Sequence, residues 1–324
     1  MEPERAGSQL EEEGLFPSGL HEFVGQEALK AQLQVCLEAA RARGEPLDHV
    51  LLTGPPGLGK TTLARLIAVE LGSRFRLVSG SSLTRPGDLA ALLTALEEGD
   101  VLFIDEVHRL PRGAEEVLYP ALESFCLDIL LGRGQGARSV RLRLPPFTLV
   151  AATTRPALLS RALRDRFGIL LHFRFYPPEE LAAILARAAR QIGLEVEEEG
   201  LREVAFRSRG TPRVALRLLR RLRDYAAVRG EPIITLEGVR EGLELLGVDG
   251  LGLDETDRRL VREVMRHGGG PVGLEALAAA LGEDPDTLAE VHEPYLIQVG
   301  LLERTPRGRM ATPLAYRHFP EWSS

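Results

Sequence analysis

The run GPPGLGKTT, residues 54 to 62, gathers three glycines, one lysine and two hydroxyl side chains in a short space. Gly54, Gly57 and Gly59 have no Cβ, so backbone N–H groups can curl around an anion there. Lys60 adds a point charge suited to β- and γ-phosphates, and Thr61 offers a hydroxyl to Mg²⁺. A glycine-rich turn alone would not explain the lysine. Lysine occurs only at positions 30 and 60 in a chain that otherwise draws its positive charge from arginine, so Lys60 calls for a chemical reason.

A second candidate group lies about forty residues on. VLFIDE, residues 101 to 106, is an apolar run ending in two acids. Asp105 is placed to hold the Mg²⁺ shell and Glu106 to polarise a water for attack on a γ-phosphate. FTLVAATTR, residues 147 to 155, ends in hydroxyls, and its Thr154 can hydrogen-bond the attacking water or the γ-phosphate. LRDRFGI then supplies Arg164 and Arg166. An arginine donated by a neighbouring subunit is one way to stabilise phosphoryl-transfer charge.

These residues need a scaffold. VLL (50–52) before the glycine loop reads as a buried strand, and LARLIAVELG after it has helical apolar spacing. Strands buried on both faces, ending in polar residues at one edge, predict a doubly wound α/β core with its ligand crevice at the strands' C-terminal ends. With 324 residues and 44% apolar content, several domains are expected. The predicted core covers 1–175. Helices alone follow over 176–246, beginning with EELAAILARAARQIG, EEEGLREVAFRSRG and PRVALRLLRRLRDYAAVRG, each ending in glycine. Residues 247–324 read as three helices and a turn between extended arms, a winged-helix module. The arginines of RLLRRLRDY surround an apolar stripe through Val214, Leu218, Leu222 and Tyr225, which favours a solvated face.

No run of eighteen apolar residues and no basic-then-apolar leader occurs, so a cytoplasmic chain without a membrane span is expected. Cys36 and Cys126 have no metal or redox spacing and read as structural thiols. The net charge of −7 does not exclude nucleic acid, because local clustering decides that.

Taken in order, the motifs resemble those of AAA+ ATPases. EFVGQ (22–26), GPPGLGKTTLA, PGDLAALLT, LEEGDVLFIDEVHRL, ATTRP, LRDRFGI, RGTPR and EPYLIQVGLLERTPRGRMAT together resemble the RuvB family, bacterial motors of Holliday-junction branch migration, across nearly the whole chain. The resemblance implies an ATP site with Mg²⁺ in which Thr62 stands beside Thr61. Thr154 would be the sensor-1 residue, Arg166 a finger acting on the neighbouring subunit's ATP, and Arg213 a sensor-2 arginine from a helical lid. Phe23, Val24, Tyr176 and Pro212 would match the adenine pocket. It also implies a homo-hexameric ring on duplex DNA. The chain departs from the family in GLFPSGLH ahead of EFVGQ, in an acidic head (LEEEG), in Ala151 where glycine is usual, and in LLSRA with its added Arg161.

Over residues 247–324 eight arginines face thirteen acids, so the last domain is not basic as a whole. Arg304, Arg307 and Arg309 nevertheless cluster on the predicted wing. From the residues alone a solvated turn and a phosphate-contacting wing stand level, and the resemblance favours the wing.

CLDILLGRGQGARSVRLRL, residues 126 to 144, reads as a hairpin inserted between Asp105-Glu106 and Thr154. Alternation puts Leu127, Ile129 and Leu131 on one face of the first strand and Val140, Leu142 and Leu144 on one face of the return strand. A two-stranded hairpin cannot bury such a face by itself. In the RuvB family the equivalent hairpin receives the junction-binding protein RuvA, and Val140 and Leu142 occupy the matching positions. A clamp-loader-like ATPase and an ATP-gated DNA-binding switch are the competing readings. The winged helix disfavours the first, and Glu106 with Arg166 the second.

Overall fold

The computed structural model describes residues 16–131 and 138–322. The acidic head and the hairpin loop lie outside the described residues, as do the side chains of Ile129 and Leu131. The chain forms two compact units: residues up to Gly54 with Gly59–Arg174, and Pro55–Leu58 with Phe175–Ser324.

In the first unit a 3₁₀ turn (Leu20–Glu22) precedes α1 (Glu27–Arg43), β1 (Val50–Thr53), α2 (Lys60–Leu71), β2 (Phe75–Ser79), α3 (Pro86–Thr94), β3 (Val101–Asp105) and α4 (Arg112–Ser124). Then come β4 (Cys126–Leu131), β5 (Arg138–Arg143), β6 (Thr148–Thr153), α5 (Arg161–Arg164) and β7 (Ile169–His172). Five strands form one parallel sheet in the order β2-β3-β6-β1-β7. Val50–Leu52, Val101–Ile104 and Leu149–Ala152 are buried throughout, which explains their unbroken apolar runs. Ala151, the departure from glycine, fits within β6 with its side chain fully buried. Sequence reading missed β2. It is an edge strand whose Arg76 pairs with the buried Asp100 at 3.0 Å, so its mixed composition gave no strand signal.

His49 precedes β1 and joins three elements of this unit. Its Nδ1 accepts from the Leu149 N–H at 3.0 Å, leaving Nε2 to donate to the Leu122 carbonyl at 3.1 Å. Burial holds its pKa below the ordinary imidazole value.

The β4–β5 hairpin is a separate two-stranded antiparallel sheet with Leu127 opposite Leu142 and Ile129 opposite Val140. Its base is anchored, since Leu127 and Leu144 join the core with Phe147 and Leu122.

The second unit contains α6 (Pro178–Gln191), β8 (Glu195–Val196), α7 (Glu198–Phe206), α8 (Pro212–Arg229), β9 (Ile233–Ile234) and α9 (Leu236–Leu245). The expectation of helices alone is corrected by the short parallel β8–β9 pair. The helix α9, capped by Thr235, was not anticipated either. The buried stripe of α8 runs through Ala215, Leu218, Leu219, Leu222 and Ala226, while Val214 and Tyr225 are only partly covered. Beyond it, α10 (Glu255–Arg266) and α11 (Leu274–Leu281) precede α12 (Pro285–Thr287), which continues through a π turn (Leu288–His292) into α13 (Glu293–Gln298). The antiparallel strands β10 (Leu302–Thr305) and β11 (Gly308–Ala311) form the wing, and α14 (Pro313–His318) follows it. Leu260, Val264, Leu277, Leu288, Leu296 and Leu302 share the core of this winged helix.

Candidate active site

Because β1, β3 and β6 are parallel neighbours, Thr53, Asp105 and Thr153 all end strands at the same edge of the sheet. Gly54 leaves β1 with φ +139°, and a Cβ there would lie 2.7 Å from the Phe173 carbonyl oxygen, so only glycine fits. Lys60 opens α2 behind Gly59, which has no side chain to cap the helix's first amides. A helix start of this kind favours anions. The Lys60 side chain is buried, and Nζ donates to the Gly54 carbonyl at 2.8 Å, which holds the charge inside the loop. Thr61 and Thr62 follow on the first turn, both partly exposed.

Asp105 ends β3. Burial raises its carboxyl pKa, opposed by the Glu106 N–H donating to Oδ1 at 2.9 Å and by the charge of Lys60. Glu106 occupies the left-handed region (φ 50°, ψ 46°), an uncommon conformation for a residue with a Cβ. Such local strain clusters at functional sites. Its carboxylate lies 3.2 Å from Arg109 Nε, a contact the sequence reading did not identify.

The threonine pair at the end of β6 divides its work. Thr153 is buried, with Oγ1 2.9 Å from His108 Nδ1 and accepting from the Arg155 N–H at 3.0 Å. Thr154 follows it, partly exposed. Thus the segment after Glu106 is tied to the strand end that carries Thr154. Nothing in the pattern of either segment signalled this tie.

Arg166 lies just after α5 and Phe23 is buried in the same unit, with its carbonyl accepting from Lys30 Nζ at 2.7 Å. That bond accounts for the chain's other lysine. Val24, beside Phe23, is partly exposed. The added Arg161 pairs with Asp165 at 3.5 Å on the surface.

The second unit brings Gly57, Tyr176, Pro212 and Arg213 together. The Tyr176 hydroxyl donates to the Leu58 carbonyl at 3.2 Å, and the Arg213 N–H to the Gly57 carbonyl at 3.3 Å. Gly57 has φ +76°, and a Cβ would come within 2.8 Å of Thr211 Cγ2. Pro212 begins α8 and Arg213 is exposed beside it. The expected adenine set is therefore divided: Phe23 and Val24 belong to the first unit, Tyr176 and Pro212 to the second.

The three wing arginines separate. Arg304 and Arg307 are exposed, but Arg309 is buried, with Nε and Nη2 donating to Glu293. The expectation that Arg309 contacts DNA is corrected, because a guanidinium committed to a buried carboxylate is withdrawn from solvent. On the hairpin, Val140 and Leu142 are 44% and 40% exposed.

Asp254, Asp257 and His292 bring ligand-type atoms within 4.8 Å of one another. Arg209 takes the place a cation would hold, pairing with Asp254 at 2.7 Å and also with Asp257. Cys36 and Cys126 are free thiols, and among the described residues no helix is long and apolar enough to cross a membrane.

The glycine cradle and buried lysine suit a nucleoside triphosphate, and the Thr61 hydroxyl with the Asp105 carboxylate is an oxygen donor set suited to Mg²⁺.

Comparison with known proteins agrees along the chain. Residues 15–173 match the family described as the Holliday junction DNA helicase RuvB P-loop domain, 176–249 the RuvB AAA lid domain, and 250–320 the RuvB C-terminal winged helix domain. The Holliday junction branch migration complex subunit RuvB of Dehalococcoides mccartyi (strain CBDB1) is 57% identical over 305 residues, covering 94% of this chain and 87% of that protein. The solved Thermotoga maritima RuvB Holliday junction branch migration motor superposes with a TM-score of 0.87 at 51% identity, covering 94% of this chain and 98% of that one. A mutant of the Thermotoga protein gives 0.89 at the same identity and coverage. With its phosphate cradle, helical lid and winged helix each matched in turn, the chain belongs to the RuvB family of P-loop ATPases, the Holliday-junction branch-migration motors.

Proposed function

We propose that the chain hydrolyses ATP as a homo-hexameric ring on duplex DNA and thereby drives branch migration of Holliday junctions with a RuvA-like partner, in the cytoplasm. The observation carrying this reading is that Lys60, in the loop and helix that follow β1, and Asp105 with Glu106, at the end of β3, stand at the same C-terminal edge of the parallel sheet, on either side of β6. Gly57, Gly59 and Lys60 hold the phosphates. Mg²⁺, held by Thr61 and Asp105, would neutralise charge on the β- and γ-phosphate oxygens. Glu106 accepts the proton of the attacking water as the new P–O bond forms and the bond to the β–γ bridging oxygen breaks, giving ADP and phosphate. Thr154 orients that water. Arg166 from a neighbouring subunit offsets the developing charge, Arg213 reports the γ-phosphate to the lid, and Phe23, Val24, Tyr176 and Pro212 hold adenine. Arg304 and Arg307 contact DNA phosphates, and Val140 with Leu142 receives the partner.

A synthetic four-way junction tests this reading. With the RuvA-like protein and ATP, the chain should resolve the junction into duplex products, and a non-hydrolysable ATP analogue should give bound but unmoved junctions. ATP hydrolysis without any movement of the junction would overturn the motor reading.

A further inference from the structure

An arginine that acts across a subunit boundary is useful only if it arrives in one place. A free guanidinium on a four-torsion stem would lose considerable rotamer entropy on engagement. Arg166 is not free: its side chain is only 25% exposed. Its guanidinium carbon lies 4.6 Å from the centroid of the Tyr119 ring. Nε donates to the Tyr119 carbonyl at 3.3 Å, Nη1 to the Ala162 carbonyl at 2.6 Å, and Nη2 to Glu123 at 3.0 Å.

The other end of Tyr119 is anchored as well. Its hydroxyl donates to Glu115 Oε1 at 2.9 Å and lies 3.2 Å from Ser160 Oγ. Ser160 also donates to Glu115 and accepts from the Leu163 N–H at 3.0 Å, capping the short helix α5 just ahead of Arg166. One tyrosine therefore connects to both the backbone that carries the arginine and the direction its side chain takes. The ring face attracts the cation, while the hydroxyl fixes the ring.

We propose that Tyr119 is a positioning residue for hydrolysis, its ring the platform that holds Arg166 ready for a neighbouring subunit's γ-phosphate. This rests on the reading of Arg166 as acting in trans. The bond to Glu123, whose side chain is 69% exposed, is the one a phosphate oxygen replaces on engagement. The bonds to Tyr119 and Ala162 persist.

The test uses full-length chains on duplex DNA, with ATP turnover measured for Tyr119→Leu, Tyr119→Phe and Arg166→Ala, each alone and mixed with Lys60→Ala. Melting curves and ring assembly are recorded alongside. Tyr119→Leu should lower kcat about tenfold with KM for ATP unchanged, the loss expected from removing one partly desolvated cation–π contact. Tyr119→Phe keeps the ring and should stay within about threefold of the parent. Tyr119→Met, which fills much of the same volume without a ring face, replaces the leucine variant if that one does not fold.

Mixing discriminates placement from folding. In a mixed ring Lys60→Ala subunits donate an intact Arg166 to the intact phosphate loop of Tyr119→Leu, so turnover should recover, as it should for Arg166→Ala. A defect in Tyr119→Leu that is not restored in a mixture that restores Arg166→Ala would lie in its own subunit and overturn the proposal. Parent-like kcat in a folded Tyr119→Leu ring would overturn it too. If Arg166→Ala itself is inactive and not restored, the trans reading fails and the proposal falls with it.

Discussion

Arg309 donates two hydrogen bonds to a single carboxylate oxygen of Glu293, from Nε at 3.1 Å and Nη2 at 2.7 Å, and both residues are buried. The pair ties the return strand of the wing to α13, so a cluster that looks uniform in ERTPRGRMAT contains one buried arginine and two exposed ones, of which Arg304 also reaches Glu293, its Nε 3.6 Å from Oε1.

Arg304→Glu with Arg307→Glu should weaken duplex binding regardless of base sequence. It should also flatten the plot of log affinity against log salt by about two units, as loss of two phosphate contacts requires. Titrations of labelled duplex at several salt concentrations measure both. Unchanged affinity and slope would move the contact away from the wing. Arg309→Glu should instead unfold the winged helix, since it sets two buried carboxylates against each other.

Much of the fold was legible because the strongest signals were local. The phosphate loop declares itself by glycine and lysine spacing, and β1, β3 and β6 by runs buried on both faces. The edge strand β2 carries no such signal, and α9, with buried Val239 and Leu243 behind its Thr235 cap, is recognised only in the structure. At the site, residue types and spacing suggested Lys60, Asp105 and Glu106. They could not show that Glu106 is left-handed and beside Arg109, or that His108 holds Thr153. Such facts depend on partners brought together by tertiary packing, and so does the burial of Arg309, whose partner Glu293 lies sixteen residues earlier.

Lys60→Ala and Glu106→Gln should fail differently. The alanine leaves phosphate charge uncompensated and empties a buried site occupied by a side chain bonded to Gly54, so ATP binding should be lost. The glutamine keeps Thr61 and Asp105, so ATP should bind while turnover drops by about two to four orders of magnitude, the usual contribution of a general base. Filter binding of labelled ATP beside a phosphate-release assay separates them. Parent-rate hydrolysis by Glu106→Gln would refute the assignment of the base.

Arg209 makes a prediction about pH. It is itself left-handed (φ 56°), donates to the Gly252 carbonyl at 2.8 Å and pairs with Asp254 and the fully buried Asp257, which also meets His292 at 2.6 Å. Burial raises the Asp257 pKa, against the lowering effect of its bond to His292 and the charge of Arg209. Arg209→Met removes a compensating charge and should destabilise the second unit by about 3–5 kcal/mol near neutral pH. The Asp257 pKa in the folded variant should rise further. Such a raised group favours the folded state below its unfolded value of about 3.9, and the advantage is lost as pH rises through the folded value. The deficit against the parent should thus be smallest in acid and grow toward neutrality. Denaturant titrations at several pH values would contradict this if the deficit were flat or reversed.

The hairpin separates docking from folding along its own length. Leu127 is 2% exposed and packs into the core, whereas Val140 and Leu142, across the ladder, are 44% and 40% exposed. Val140→Asp with Leu142→Asp should leave the melting temperature and basal ATP turnover close to the parent, because solvated aspartates at these positions break no core contact. The same charges would have to be desolvated in an apolar protein contact, so association with a RuvA-like partner should be lost, and partner-dependent loading at a junction with it. Leu127→Asp is the contrast. A carboxylate at that buried position should cost several kcal/mol and lower the melting temperature of the first unit. Melting curves and a partner pull-down on all three forms decide the matter. A double variant that stays folded yet still captures the partner would remove Val140 and Leu142 from the docking surface, and one that unfolds would return them to the core.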